Sequence, residues 1–150
     1  MDAVTYPAIE VVEFVMEHLI PLKINLTEKP FYENSRVLWT PTILILDYDG
    51  SELQRTVGYL APDEFIPMLH LGKAKLRLSH EEFDGAEVHF NRLLERYPES
   101  DAVPEALYFQ GVNRYKMKNN PMELKEAYEK LLTSHPDNSW TKRAAPYQFM

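Results

Sequence analysis

The sequence predicts a mixed architecture: an α/β unit with a three-strand sheet and flanking helices, followed by an all-α unit. Three observations carry this expectation. The apolar run Ile43-Leu44-Ile45-Leu46 is followed by Asp49-Gly50 and an alternating run from Glu52 to Val57, the pattern of a β-hairpin. After Gly72 no further strand is credible and helical spacing takes over. Within that second half a block recurs 38 positions on: Phe90, Leu93, Leu94, Tyr97, Pro98, Glu99 and Ala106 return as Tyr128, Leu131, Leu132, His135, Pro136, Asp137 and Ala144. An apolar pair, a ring, a proline, an acid and a new helix form one supersecondary unit written twice, each copy exposing a face that the next can cover.

The elements follow in order. Residues 1–7 read as irregular. From Ala8 to Ile20, Ile9, Val12, Val15, Met16 and Leu19 recur at helical spacing, and Pro21 stops the helix. Leu22 to Leu26 alternates and predicts the third strand, and Thr27 can cap a short helix through about residue 36 with Pro30 in its first turns. Thr40-Pro41-Thr42 then kinks into Ile43–Leu46, apolar on both faces, which suits a buried inner strand. Ala61-Pro62-Asp63-Glu64 opens the next helix, with acids at its positive end and Phe65, Ile66, Met68 and Leu69 facing inward. Turn signals at Ser79-His80, Tyr97 to Ser100, Asn119-Asn120-Pro121 and His135 to Asn138 divide the remaining helices. The predicted units are residues 1–71 and 72–150.

At 150 residues the chain is long enough to bury about 70% of its unfolded surface. Its net charge of −7 repels phosphate backbones, so nucleic acid is not an expected partner. No run approaches the length of a membrane span, and no signal peptide is visible. The absence of cysteine removes disulfides, thiolate catalysis and Cys-ligated zinc, and is compatible with the cytoplasm. The sequon Asn25-Leu26-Thr27 then reads as a chance match within a strand.

Few motifs carry chemistry. Asp47 to Glu52 superficially resembles the start of a calcium loop but lacks that loop's third acid and closing glutamate, and a hairpin turn accounts for it. His80, Asp84 and His89 lie close in sequence but straddle a helix start, so no metal is expected there. His135 falls at a helix end, where a partly charged ring complements the dipole. No Ser/His/Asp context and no glycine-rich phosphate cradle is present, so neither a catalytic residue nor a cofactor is expected. Phe83, Phe90, Tyr97, Tyr108, Phe109, Tyr115, Tyr128 and Trp140 read as interhelical packing, with a peptide groove as the sharper alternative. Glu123, Glu126 and Glu129 read as solvated surface.

Two resemblances emerge. Residues 8–71 resemble the C-terminal two-thirds of a thioredoxin-like domain: helix, strand Leu22–Leu26, short helix, Thr40-Pro41-Thr42, strand, Asp49-Gly50, a strand ending Val57-Gly58-Tyr59, and a final helix. In that family the proline matching Pro41 is cis and borders the redox site, and the match to Gly58 lies in the loop facing it. The resemblance implies Thr40, Pro41, Thr42, Gly58 and Tyr59 as substrate- or peptide-binding residues, the backbone beside the proline pairing with an extended peptide. The alternative is that the kink only shapes the strand entry. Residues 70–145 resemble tetratricopeptide repeats, with Ala74, Ala86 and Phe90 anchored on Pro98, and Tyr108, Gly111, Tyr115 and Tyr128 anchored on Pro136. Leu124, where a small residue belongs, and the 38-residue spacing depart from that pattern. Tyr97 to Ser100 leading into Pro104 to Tyr108 is similar to repeat pairs of bacterial envelope and accessory proteins.

Thioredoxin-like enzymes carry a Cys-x-x-Cys motif that this chain lacks, and Met1 to Pro7 resembles the segment just downstream of it in bacterial members. The expectation is a redox-inactive, non-catalytic protein–protein interaction module that binds a protein or peptide. The alternative is a shortened thiol–disulfide oxidoreductase whose Cys-x-x-Cys lies upstream of Met1. In the family a further strand lies between those matching Leu22–Leu26 and Ile43–Leu46. Its absence leaves inner edges unpaired and predicts a repacked sheet or a homodimer that fills the gap.

Overall fold

The computed structural model describes residues 1–25 and 36–150. Among them the elements are helix α1 (Ile9–His18), strands β1 (Thr42–Leu46) and β2 (Glu52–Val57), and helices α2 (Pro62–Ser79), α3 (Phe83–Arg96), α4 (Val103–Lys118), α5 (Met122–Ser134) and α6 (Ser139–Ala144), closed by a 3-10 turn at Ala145–Phe149. The chain forms two compact units, Met1–Ile66 and Pro67–Met150. No helix of the described residues is long and apolar enough to cross a membrane.

In the first unit, residues 1–7 form a tight turn stack in which the amides of Val4, Thr5 and Tyr6 all donate to the Met1 carbonyl at 3.0–3.2 Å. The Thr5 hydroxyl, fully buried, donates to the Leu60 carbonyl at 2.5 Å. Helix α1 carries Glu10 in its first turn and His18 in its last, both matching the dipole, and ends where Leu19 turns extended ahead of Pro21. Of the residues whose spacing predicts this helix, Ile9, Val12 and Met16 face solvent and Val15 and Leu19 are half-buried, while Val11, outside that set, is the residue that is buried.

The sheet differs from expectation. β1 and β2 pair antiparallel, with Thr42 opposite Val57, Ile43 opposite Thr56, Leu44 opposite Arg55 and Ile45 opposite Gln54. The register then slips, placing Leu46 opposite Glu52 and leaving Leu53 as the extra residue. Among the described residues this is a sheet of two strands, not three. Leu22 to Asn25 forms no strand, Leu22 is exposed, and Lys23 reaches Asp2 at 2.9 Å. Alternation fixes where side chains point, but a strand also needs a neighbour to take its N–H and C=O groups, and β1 and β2 take each other's. Leu26 and the predicted helix from Thr27 lie outside the described residues except at Arg36, which sits in a turn at φ +49°. With one neighbour strand, β1 is half-buried with only Ile45 fully inside, so it is not the doubly covered strand its composition predicts. The turn is as predicted: Gly50, at φ +85°, donates to the Asp47 carbonyl at 3.0 Å.

The second unit packs on a continuous core of Leu71, Ala74, Ala86, Phe90, Leu93, Val103 and Ala106. Within this core the fully buried alanines Ala74, Ala86 and Ala106 lie on α2, α3 and α4 and leave room for close packing. At Gly111 a Cβ would overlap that of Ala127, so glycine permits the contact between α4 and α5. The sequence repeat is also a repeat of backbone geometry. After α3 the Tyr97 amide donates to Leu93, the Ser100 amide to Tyr97, and the Ser100 hydroxyl accepts from Ala102. After α5 the His135 amide donates to Leu131, the Asn138 amide to His135, and the Asn138 side chain accepts from Trp140. The two helix ends share φ and ψ, at −132° and 53° for Tyr97 and −139° and 56° for His135. Glu123 corrects a further expectation: it is buried, not solvated, and accepts from Lys118 at 2.8 Å.

Candidate functional site

The residues predicted for binding meet at one corner of the hairpin. The Thr40–Pro41 peptide bond is cis. The Thr42 hydroxyl donates to the Trp39 carbonyl at 2.6 Å, holding the kink closed on itself. From the partner strand, the Gly58 amide donates to the Pro41 carbonyl at 2.8 Å, continuing the ladder one step past Thr42 and Val57. Gly58 sits at φ +105° with nothing near its missing Cβ, so backbone conformation and not space selects glycine there. Thr40 and Tyr59 flank this bond and are exposed. The sequence did not single out the rim: Leu38, Trp39 and Val57 also lie open to solvent beside it.

Next to the corner is an open groove of about 380 Å³ lined by Arg36, Leu38, Glu52, Arg55 and Val57. Arg55 closes a fork on Glu52, at 2.8 Å from Nε and 2.5 Å from Nη2, and this bond holds the Glu52 carboxyl below its usual range. The corner and groove therefore offer apolar surface, backbone, the Arg55–Glu52 ion pair and the side chain of Arg36. They contain no thiol and no histidine.

The other predicted positions resolve differently. Asp47 and Asp49 turn onto their own loop, accepting from Tyr48 at 2.7 Å and Ser51 at 2.9 Å, as hairpin-turn carboxylates do. His89 pairs with His70, not with His80: their Nδ1 atoms lie 3.1 Å apart between α2 and α3, both rings buried. Among the described residues no group of three His, Asp or Glu side chains could hold a metal ion. Tyr108, Phe109 and Trp140 pack together with Tyr147, whose hydroxyl meets that of Tyr108 at 2.7 Å. Burial, with that bond, pushes the Tyr147 phenol well above its ordinary range. Arg143 covers the Trp140 ring at 4.4 Å and Lys75 the Phe109 ring at 5.0 Å, so this cluster is already supplied with its own cations.

Sequence reading also passed over a polar network between α3 and α4. Glu87 accepts from Gln110 at 3.0 Å, Asn113 at 3.0 Å and Arg114 at 2.6 Å. Asn113 is fully buried and its amide also donates to the Phe83 carbonyl at 3.1 Å. These partners sit more than 20 residues apart, and only the helix pairing brings them together.

Comparison with known proteins adds no relative: no protein-family model, no curated protein and no solved structure matches the chain.

Proposed function

We propose that the chain is a non-catalytic protein–protein interaction module, a thioredoxin-like unit joined to tetratricopeptide-like helices, which binds an extended peptide at the Pro41–Gly58 corner. The observation that carries this reading is the corner itself, where Gly58 is bonded to Pro41 inside a rim of exposed Leu38, Trp39, Val57 and Tyr59. An extended peptide laid there would use backbone for affinity and the rim for side-chain selection. The same reading includes a homodimer in which a second copy extends the β1–β2 sheet, which light scattering of the full chain tests. Panning a random peptide library against the immobilised chain should enrich extended apolar sequences. Their affinity should fall about tenfold or more when Trp39 and Tyr59 are both changed to Ala. No enrichment, or enriched peptides indifferent to both changes, would overturn the reading.

The same corner favours a second reading, a thiol–disulfide oxidoreductase whose Cys-x-x-Cys is encoded upstream of Met1. In-frame cysteine codons within about ten residues upstream would support it, and a stop codon in that interval would exclude it. In either reading the chain as given should not reduce insulin above the dithiol background, and clear turnover would overturn both.

A further inference from the structure

Helix α1 presents a surface distinct from the Pro41–Gly58 corner. Ile9 is 73% exposed, Val12 45% and Met16 72%, and Ile20 just beyond the helix end is 97% exposed. With about 3.6 residues per turn, Ile9, Val12 and Met16 fall on one stripe. Glu10, Glu13 and Glu17, all exposed, fall along one flank of it. Val11, Phe14 and His18 fall on the far side, where Val11 is buried and Phe14 packs edge-on to His18 at 4.8 Å. The helix thus covers the side of Val11, Phe14, Val15 and His18 and leaves the apolar stripe of Ile9, Val12 and Met16 in water. Single exposed apolar residues are ordinary, but three on consecutive turns form a patch of the kind that marks an interface.

Charge decides what fits the stripe. Residues 1–22 contain four acids, Asp2, Glu10, Glu13 and Glu17, and no lysine or arginine. The first cation, Lys23, is engaged with Asp2. A second α1 laid antiparallel on the first would set acid row against acid row, with His18, 3.9 Å from Glu17 on its own helix, as the one base beside them. We infer that α1 is a docking helix for a protein segment of opposite character: an amphipathic partner helix whose apolar residues cover Ile9, Val12 and Met16 and whose Lys or Arg side chains run along one flank to meet Glu10, Glu13 and Glu17. The i, i+3, i+7 spacing of the stripe is that of helix-to-helix anchors, and the one-sided acid row sets the partner's direction.

The test uses the full chain and two labelled synthetic helical peptides, identical in their leucine face, one flanked by lysine and the other by glutamate. Fluorescence anisotropy should show binding of the leucine/lysine peptide only, weakening as ionic strength rises from about 0.05 to about 0.3 M. Changing Ile9 and Met16 together to Ser should weaken it about tenfold or more, whereas Val88→Ser, an exposed apolar site on α3, should leave it unchanged. Changing Glu10, Glu13 and Glu17 to Lys should reverse the preference between the two peptides. All these positions are exposed, so the variants should keep the circular dichroism of the parent. The inference is overturned by absence of binding, by equal binding of both peptides, or by affinity indifferent to the Ile9 and Met16 changes. It is also overturned if the parent chain is a dimer that the Ile9 and Met16 changes convert to a monomer, because a second copy is then the occupant.

Discussion

The two compact units solve the same problem in opposite ways. In Pro67–Met150 the helices cover one another around a shared core in which Phe90, Leu93 and Leu131 are completely buried, although Val88, Leu132 and Phe149 stay exposed. In Met1–Ile66 the fully buried hydrophobics are Val11, Ile45, Phe65 and Ile66 among the described residues, while Ile9, Met16, Leu38, Trp39 and Tyr48 lie in solvent. The difference is one of supply. The helical unit repeats its helix–turn–helix, so each copy finds a cover within the chain. Among the described residues the first unit has one hairpin and one helix ahead of α2, and a single hairpin is marginal on its own. Apolar surface that is internal in the one unit is therefore left exposed in the other.

The contrast breaks most visibly at Phe90. Replacing it with Ala should destabilise the helical unit by about 3–5 kcal/mol. The chain has a tryptophan in each unit, Trp39 and Trp140, so the urea transition followed through Trp140 in a Trp39→Phe background isolates the effect. A loss below about 1 kcal/mol would mean that this core is not close-packed.

Next in size is Gly111. An added methyl must displace Ala127, and overpacking of this kind costs about 1–3 kcal/mol. Ala127→Gly in the same chain should recover part of that loss, because the two sites share one contact. If the two changes simply add, α4 and α5 do not approach as closely as the structure places them.

These two positions show what was legible in the sequence. The recurrence of Leu93, Tyr97 and Pro98 as Leu131, His135 and Pro136 is a repeat of both residues and backbone geometry, because a helix end is decided locally by a few hydrogen bonds. The hairpin was legible for the same reason, through Asp49-Gly50. The strand expected at Leu22–Leu26 was not, because a strand is a relation between segments and alternation describes only one of them. The burial of Glu123 and the Glu87 network escaped likewise, since charged residues at helical spacing look solvated until a partner helix is known. At the hairpin corner the sequence named Pro41 and Gly58, whereas the exposed rim of Leu38 and Trp39 follows from what the fold leaves uncovered.

A smaller effect separates the units by pH. The bond from Arg55 holds the Glu52 carboxyl below its ordinary value in the folded first unit. A carboxyl whose folded pKa is depressed adds stability above its unfolded pKa, and that share disappears as pH falls through the folded value. The pair lies at the surface, with Glu52 exposed and Arg55 half-buried, so the share is that of a surface ion pair, about 0.2–1 kcal/mol. Acid titration followed through Trp39 should show this loss below about pH 4.5, and Arg55→Gln should remove it. An unchanged titration curve in that variant would show that the fork contributes nothing to the first unit.

The smallest expected effect is also the sharpest comparison. Truncating a buried isoleucine or methionine costs about 2–5 kcal/mol, but exposed substitutions usually stay within about 0.5 kcal/mol. Ile9→Ser and Met16→Ser should therefore leave the stability of the first unit within that narrow band, although both residues occupy the apolar positions from which the helix is predicted. Urea denaturation followed through Trp39 measures this directly. A near-zero cost would mean that the stripe is maintained by something other than folding, which is what a docking face requires. A cost of about 2 kcal/mol or more would place both side chains in a core, dissolve the contrast between the two units, and remove the docking face with it.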